Sequence, residues 1–205
     1  MIKIAFIGVP GAGKTTYAGA LAYELSRLNR KTKIELNLST IKEKISIANL
    51  DLTKIKNNYL TAYQLYYTEE YYHNLYQNID YLISDTALFI PYIYGVYLNH
   101  FDEDNKKTAL YQSTIVNIAA TSMYDMVIYL KPINNNTITD KIIPDLNNFN
   151  DYLLNITQLL LPRTLYKTAF IEINNDTPIQ DIINILSQVK KDFDSIQVNN
   201  KMHYH

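Results

Sequence analysis

An apolar opening, Ile2 to Val9, runs into Gly8-Val9-Pro10-Gly11-Ala12-Gly13-Lys14-Thr15, and no other feature constrains the fold of this chain as strongly. Residues 2–8 read as a strand buried on both faces. From Lys14 onward, apolar residues fall at Ala18, Leu21, Ala22, Leu25 and Leu28, which is helical spacing over 14–28. A strand, a glycine loop and a helix in that order aim the loop amides at one point, at the positive end of the helix, where an anion is held. Gly8, Gly11 and Gly13 allow turns and a close backbone approach that a Cβ would obstruct. In the spacing G-x-x-x-x-G-K-[ST] the loop amides cradle phosphates, the lysine reaches the β- and γ-phosphates, and the hydroxyl ligates Mg²⁺. Lys14 and Thr15 take those roles here, Thr16 adds a phosphate contact, and the loop Gly8 to Gly13, including Pro10 and Ala12, is the expected seat of ATP.

The rest of the chain continues the alternation. Strands are expected at 33–38, 79–84, 126–130 and 168–173, and helices at 58–77, 86–99, 107–120, 152–161 and 178–193, with a further polar-apolar segment at 41–50. Pro91 should kink its helix or delay its start. Thr177 before Pro178 reads as an N-cap followed by a proline at the first helical position. The polar, Asn-rich stretch 131–150 reads as a lid or mobile loop. Strands alternating with helices imply an α/β fold whose parallel sheet is covered on both faces, with ligands beyond the carboxyl ends of the strands. The glycine loop, Asp85, Lys131 and Asn174 all follow strand ends and should share one rim.

Tyr81-Leu82-Ile83-Ser84-Asp85 is an apolar strand ending in an acid. A carboxylate there can hold the magnesium shell through water or orient an attacking hydroxyl, and it can also cap the helix that follows. Tyr59, Tyr63, Tyr67 and Tyr71 recur every four residues. Such a stripe more often packs on a sheet, but its rings could also stack on a base. Gln64 is either an exposed helix residue or a reader of a base edge.

The formal net charge of -1 supplies no global basic field for nucleic acid or an anionic membrane. The chain has no cysteine, which excludes disulfides and thiolate metal sites. No apolar stretch reaches the ~18 residues of a membrane span, so an intracellular, cytoplasmic protein is expected. One domain over 1–196 with a flexible tail at 197–205 fits the length.

Residues 4–16 and Asp80-Tyr81-Leu82-Ile83-Ser84-Asp85-Thr86-Ala87-Leu88, followed by Tyr94-Gly95, resemble the small P-loop kinases related to nicotinamide-riboside and deoxynucleoside kinases, including ATP-binding proteins of bacteriophages. The resemblance covers about the first hundred residues well. It implies a three-layer P-loop fold with a five-stranded parallel sheet in the order 2-3-1-4-5, and ATP-dependent phosphorylation of a nucleoside-like hydroxyl. It also places a substrate-facing helix at 58–77, which carries Tyr63, Gln64, Tyr67 and Thr68. Asn174 and Asp176 fall where related kinases contact adenine, although the segment Asn174 to Thr177 also reads as a simple turn and cap.

Three positions depart from the family pattern. A glutamate follows the second strand in the family; Ser39 takes that place here, with Glu35 one turn earlier. Thr68 stands where the substrate helix carries glutamine, with Gln64 four residues before it. The segment 134–144 lacks the lid arginine, and the whole chain has only Arg27, Arg30 and Arg163. Arg27 should lie ~20 Å from Lys14 along the helix, and Arg163 on the opposite rim. Lys131 or Lys141 could substitute, or a partner chain could donate the charge. The leading expectation is Mg²⁺-dependent transfer from ATP to a nucleoside, nucleotide or related small molecule, with Lys14, Asp85 and Glu35 as catalytic residues and Thr15 and Asp85 at the metal. The alternatives are phosphorylation of a hydroxylated base in DNA, which the charge disfavours, and nucleotide binding without transfer.

Overall fold

The computed structural model describes residues 1–35, 74, 77–102, 124–132, 145–160 and 168–202. The strands are β1 (Ile2–Ile7), β2 (Thr32–Glu35), β3 (Tyr81–Ser84), β4 (Met126–Leu130) and β5 (Ala169–Ile173). The helices are α1 (Lys14–Arg27), α2 (Ile90–Asp102), α3 (Leu146–Leu160) and α4 (Ile179–Met202). All strand pairs are parallel, in the order β2-β3-β1-β4-β5. This is the expected 2-3-1-4-5 sheet.

The central strands read as continuous apolar runs because both of their faces are covered. Ile4 to Ile7, Leu82, Ile83, and Met126 to Leu130 are buried. α1 packs against β1, β2 and β3 and against α4, so these two helices form one outer layer. α2 and α3 meet through aromatic rings. Phe149 is fully buried, 4.6 Å from Tyr94 and 5.0 Å from Tyr97 between ring centroids. Tyr129 of β4 donates to Asn150 Oδ1 at 2.6 Å, which ties α3 to the sheet. Right-handed crossovers put α2 and α3 on the face opposite α1, completing three layers.

Several element boundaries differ from expectation. α2 begins at Ile90, so Pro91 falls in its first turn, where a missing N–H costs nothing. α3 begins at Leu146, inside the stretch read as a lid. Asp145 accepts from the amides of Asn147 (3.1 Å) and Asn148 (3.0 Å), so an N-cap starts this helix six residues before the expected Tyr152. α4 starts at Ile179 and continues to Met202, past residue 197 where a tail is expected. Thr177 does not cap it: its hydroxyl accepts from the Asn174 amide at 3.0 Å and closes the preceding turn.

Candidate phosphate-binding site

β1 delivers the chain to the rim of the sheet and the loop turns back sharply. Gly8, Gly11 and Gly13 have φ of 146°, 78° and 89°. Gly8 is also a close approach, since a Cβ there would sit 2.6 Å from the Leu130 carbonyl oxygen of β4. Pro10 has no amide to offer, and Ala12, fully buried, uses its own to close a turn on the Val9 carbonyl at 3.2 Å. These two residues shape the loop. The amides of Gly11, Gly13, Thr15 and Thr16 have no hydrogen-bond partner among the described residues, and no side chain caps α1. They are the orphan donors of a helix start.

Lys14 folds back over this loop, its Nζ donating to the carbonyls of Gly8 (3.0 Å) and Val9 (2.9 Å). Its charge therefore sits at the loop and also acts on Asp85. Thr15 Oγ1 donates to Asp85 Oδ2 at 2.8 Å, although 70 residues separate them in sequence. That proton assignment leaves the hydroxyl lone pairs facing away from the carboxylate.

Asp85 is 3% exposed, and its second oxygen, Oδ1, is buried with no hydrogen-bond partner among the described residues. Burial pushes the carboxyl above its ordinary range, opposed by the Thr15 hydroxyl, the Lys14 charge and Thr86. The donor set is hard oxygen: the Thr15 hydroxyl and the Asp85 carboxylate, one of whose oxygens is orphaned. It fits Mg²⁺, which keeps several waters and takes few protein ligands. Among the described residues no cluster of three or more His, Cys, Asp or Glu offers an alternative metal cage.

The other expected site residues fall into two groups. The backbone of Glu35 reaches the same rim, where it is the register partner of Ser84, next to Asp85. Ser39, Tyr63, Gln64, Tyr67 and Thr68 lie outside the described residues, as do Lys141 and Arg163. Lys131 lies 3.5 Å from Glu172 in an ion pair. Arg27 closes α1 at the far rim, paired with Glu24 at 3.0 Å. Neither described arginine is at the phosphate loop.

The turn after β5 is held against α1 by contacts that no motif announces. Tyr17, in the first turn of α1, places its hydroxyl 3.1 Å from the Asn174 carbonyl and 3.0 Å from that of Thr177. Asn175 Nδ2 donates to the Lys131 carbonyl at 2.9 Å, while its Oδ1 would lie 3.2 Å from a Cβ placed on Gly13. Asn174, Asn175 and Asp176 therefore border the loop that the sequence assigns to phosphate. Tyr17 stands on the same helical face as Lys14, three residues on, which is the one sequence signal that could have marked it.

A family model described as an AAA domain matches residues 3–143, which takes in the phosphate loop and Asp85. This chain belongs to that AAA domain family. Within the solved structures, its fold is that of P-loop nucleoside and nucleotide kinases. A deoxyadenosine kinase from M. mycoides with bound dATP is 20% identical at a TM-score of 0.56, over 91% of this chain and 100% of that one. The same kinase with bound dCTP gives 19% and 0.58 over equal spans. A thymidylate kinase from Ehrlichia chaffeensis is 15% identical at 0.55, over 90% and 98%. No curated protein matches the sequence. Among the described residues of this AAA domain, no helix is long and apolar enough to cross a membrane.

Proposed function

We propose that this AAA domain protein transfers the γ-phosphoryl group of ATP to a hydroxyl of a nucleoside, nucleotide or related small molecule, with Mg²⁺. The 2.8 Å contact between Thr15 Oγ1 and Asp85 Oδ2, beside the orphan amides of the glycine loop, carries this reading. When bound, Mg²⁺ neutralises charge on the β- and γ-phosphate oxygens. The amides of Gly11, Gly13, Thr15 and Thr16 hold the phosphates, and Lys14 stabilises their charge. Thr15 and Asp85 would hold the metal. Asn174 and Asp176 line the base side. Glu35, brought to the rim beside Ser84, or Asp85 itself, takes the proton of the acceptor hydroxyl. The substrate side is assigned to Ser39, Tyr63, Gln64, Tyr67 and Thr68. The deoxynucleoside and thymidylate kinases that share the fold support an acceptor of this class.

A second reading, nucleotide binding without transfer, has one observation behind it. Arg27 is paired at the far rim and Arg30 lies beyond it, so no described arginine reaches a transferring phosphoryl group. One assay separates the two: ADP release is followed with Mg·ATP across a panel of nucleosides and nucleotides. Acceptor-dependent release that disappears in Lys14→Ala establishes transfer. Saturable Mg·ATP binding with no phosphorylated product from any acceptor establishes the second reading, and absence of Mg·ATP binding by calorimetry removes both.

A further inference from the structure

We propose that the cavity at the rim opposite the phosphate loop is a second ligand site, one that takes a small organic anion: an apolar body bearing a carboxylate. The cavity has a volume of about 440 Å³, within the range of small-molecule sites. Leu25 and Leu28 line it from the end of α1, Tyr81 from the start of β3, and Leu186 and Lys190 from α4, with Arg30 from the segment after α1. Leu186 and Lys190 are four residues apart and share one helical face. Leu25 lies eleven residues beyond Lys14 in the same helix, so the cavity and the phosphate loop are separated by ~16 Å along α1.

The chemistry of the lining selects the ligand. Leu25, Tyr81 and Leu186 are buried, and Leu28, 55% exposed, leaves an apolar lip. Tyr81 contributes a buried ring whose hydroxyl has no hydrogen-bond partner among the described residues. Burial raises its pKa, and the charge of Arg30, which lines the same cavity, opposes that rise.

Arg30 and Lys190 come from two different walls, and neither has a carboxylate partner among the described residues. Among the described residues the one acid felt by Tyr81 is Asp80, whose Oδ2 already accepts the Lys31 amide at 2.9 Å. A planar carboxylate would therefore meet the guanidinium fork, the tyrosine hydroxyl and the Lys190 ammonium, with its apolar body against Leu25, Leu28 and Leu186.

Octanoate is the probe, titrated calorimetrically into the full chain, with octanamide as its uncharged counterpart. Octanoate is expected to bind at one site at least roughly 10-fold more tightly than octanamide, the share expected of charge-assisted hydrogen bonds. The double substitution Arg30→Gln and Lys190→Gln should weaken octanoate by a similar factor while leaving the melting temperature and Mg·ATP binding as they were. Saturating Mg·ATP should leave octanoate bound. Absence of saturable octanoate binding, equal binding of octanamide, full affinity in the double variant, or displacement by Mg·ATP would each overturn the assignment. A double variant that loses its cooperative melt is replaced by Arg30→Lys, which keeps the charge and removes the fork, and must then weaken octanoate.

Discussion

Asp85 sits 3% exposed, yet its Oδ1 meets no donor among the described residues. Because burial raises its pKa, the folded protein holds the Asp85 proton more tightly than the unfolded chain does. The stability this confers is complete below the ordinary carboxylate value of ~3.9. It is lost as pH rises through the folded value, so at neutral pH the ionised group opposes folding. Asp85→Asn should accordingly raise the melting temperature of the nucleotide-free protein at pH 7.5, by about 2–4 °C for each kcal/mol relieved. The gain should shrink as pH falls through the folded value, where the native carboxyl takes up its proton. The same variant should lose the Mg²⁺-dependent part of ATP binding, an exchange of stability for function. Thermal melts across that fall in pH check this, and a lower melting temperature at pH 7.5 would show that the carboxylate serves structure instead.

At the scale of elements, β1, the glycine loop and α1 were legible because apolar periodicity, glycine and lysine positions all point to one local structure. The strand ending at Asp85 was legible for the same reason, as an apolar run with an acid at its end. α3 was not legible over 146–151, where asparagines dilute the apolar pattern; its start rests on one aspartate cap and on Phe149, whose burial depends on Tyr94 and Tyr97 of another helix. The tie between α1 and the turn before α4 was invisible for a different reason. Tyr17 contacts main-chain carbonyls 157 and 160 residues away, and a carbonyl has no sequence signature. This tie makes the turn part of the candidate phosphate site's frame. Tyr17→Phe should remove about 0.5–1.5 kcal/mol of hydrogen bonding, speeding amide exchange at Asn175 and Asp176 by roughly 2- to 10-fold. Exchange at β1 should stay as it was. Unchanged exchange in the turn would mean that Thr177 and Asn175 hold it unaided.

Across the whole molecule, the parallel sheet brings all strand ends to one rim, and so gathers the glycine loop, Asp85, the Glu35 backbone and the Asn174 turn from distant parts of the chain. The opposite rim receives both described arginines. On the proposed function, binding and transfer are thereby separable: binding would need the loop with Thr15 and Asp85, whereas an arginine at the transferred group is commonly worth ~10³–10⁵ in rate. Binding alone therefore tests the loop. Mg·ATP at one hundred times its Kd stabilises the native state by about 2.7 kcal/mol, or roughly 5–11 °C in melting temperature for a domain of this size. Lys14→Ala removes charge-assisted bonds worth ~1.5–3 kcal/mol, weakening ATP roughly 10- to 150-fold. At the same ligand concentration the shift should fall to about 0.3–1.4 kcal/mol, roughly 1–6 °C. Lys14 also braces the loop through Gly8 and Val9, so its loss should lower the melting temperature of the nucleotide-free protein as well. The quantity that decides is the difference with and without Mg·ATP in each protein, because loop bracing cancels from it. A variant that keeps the full difference would place the phosphates somewhere other than the loop between β1 and α1.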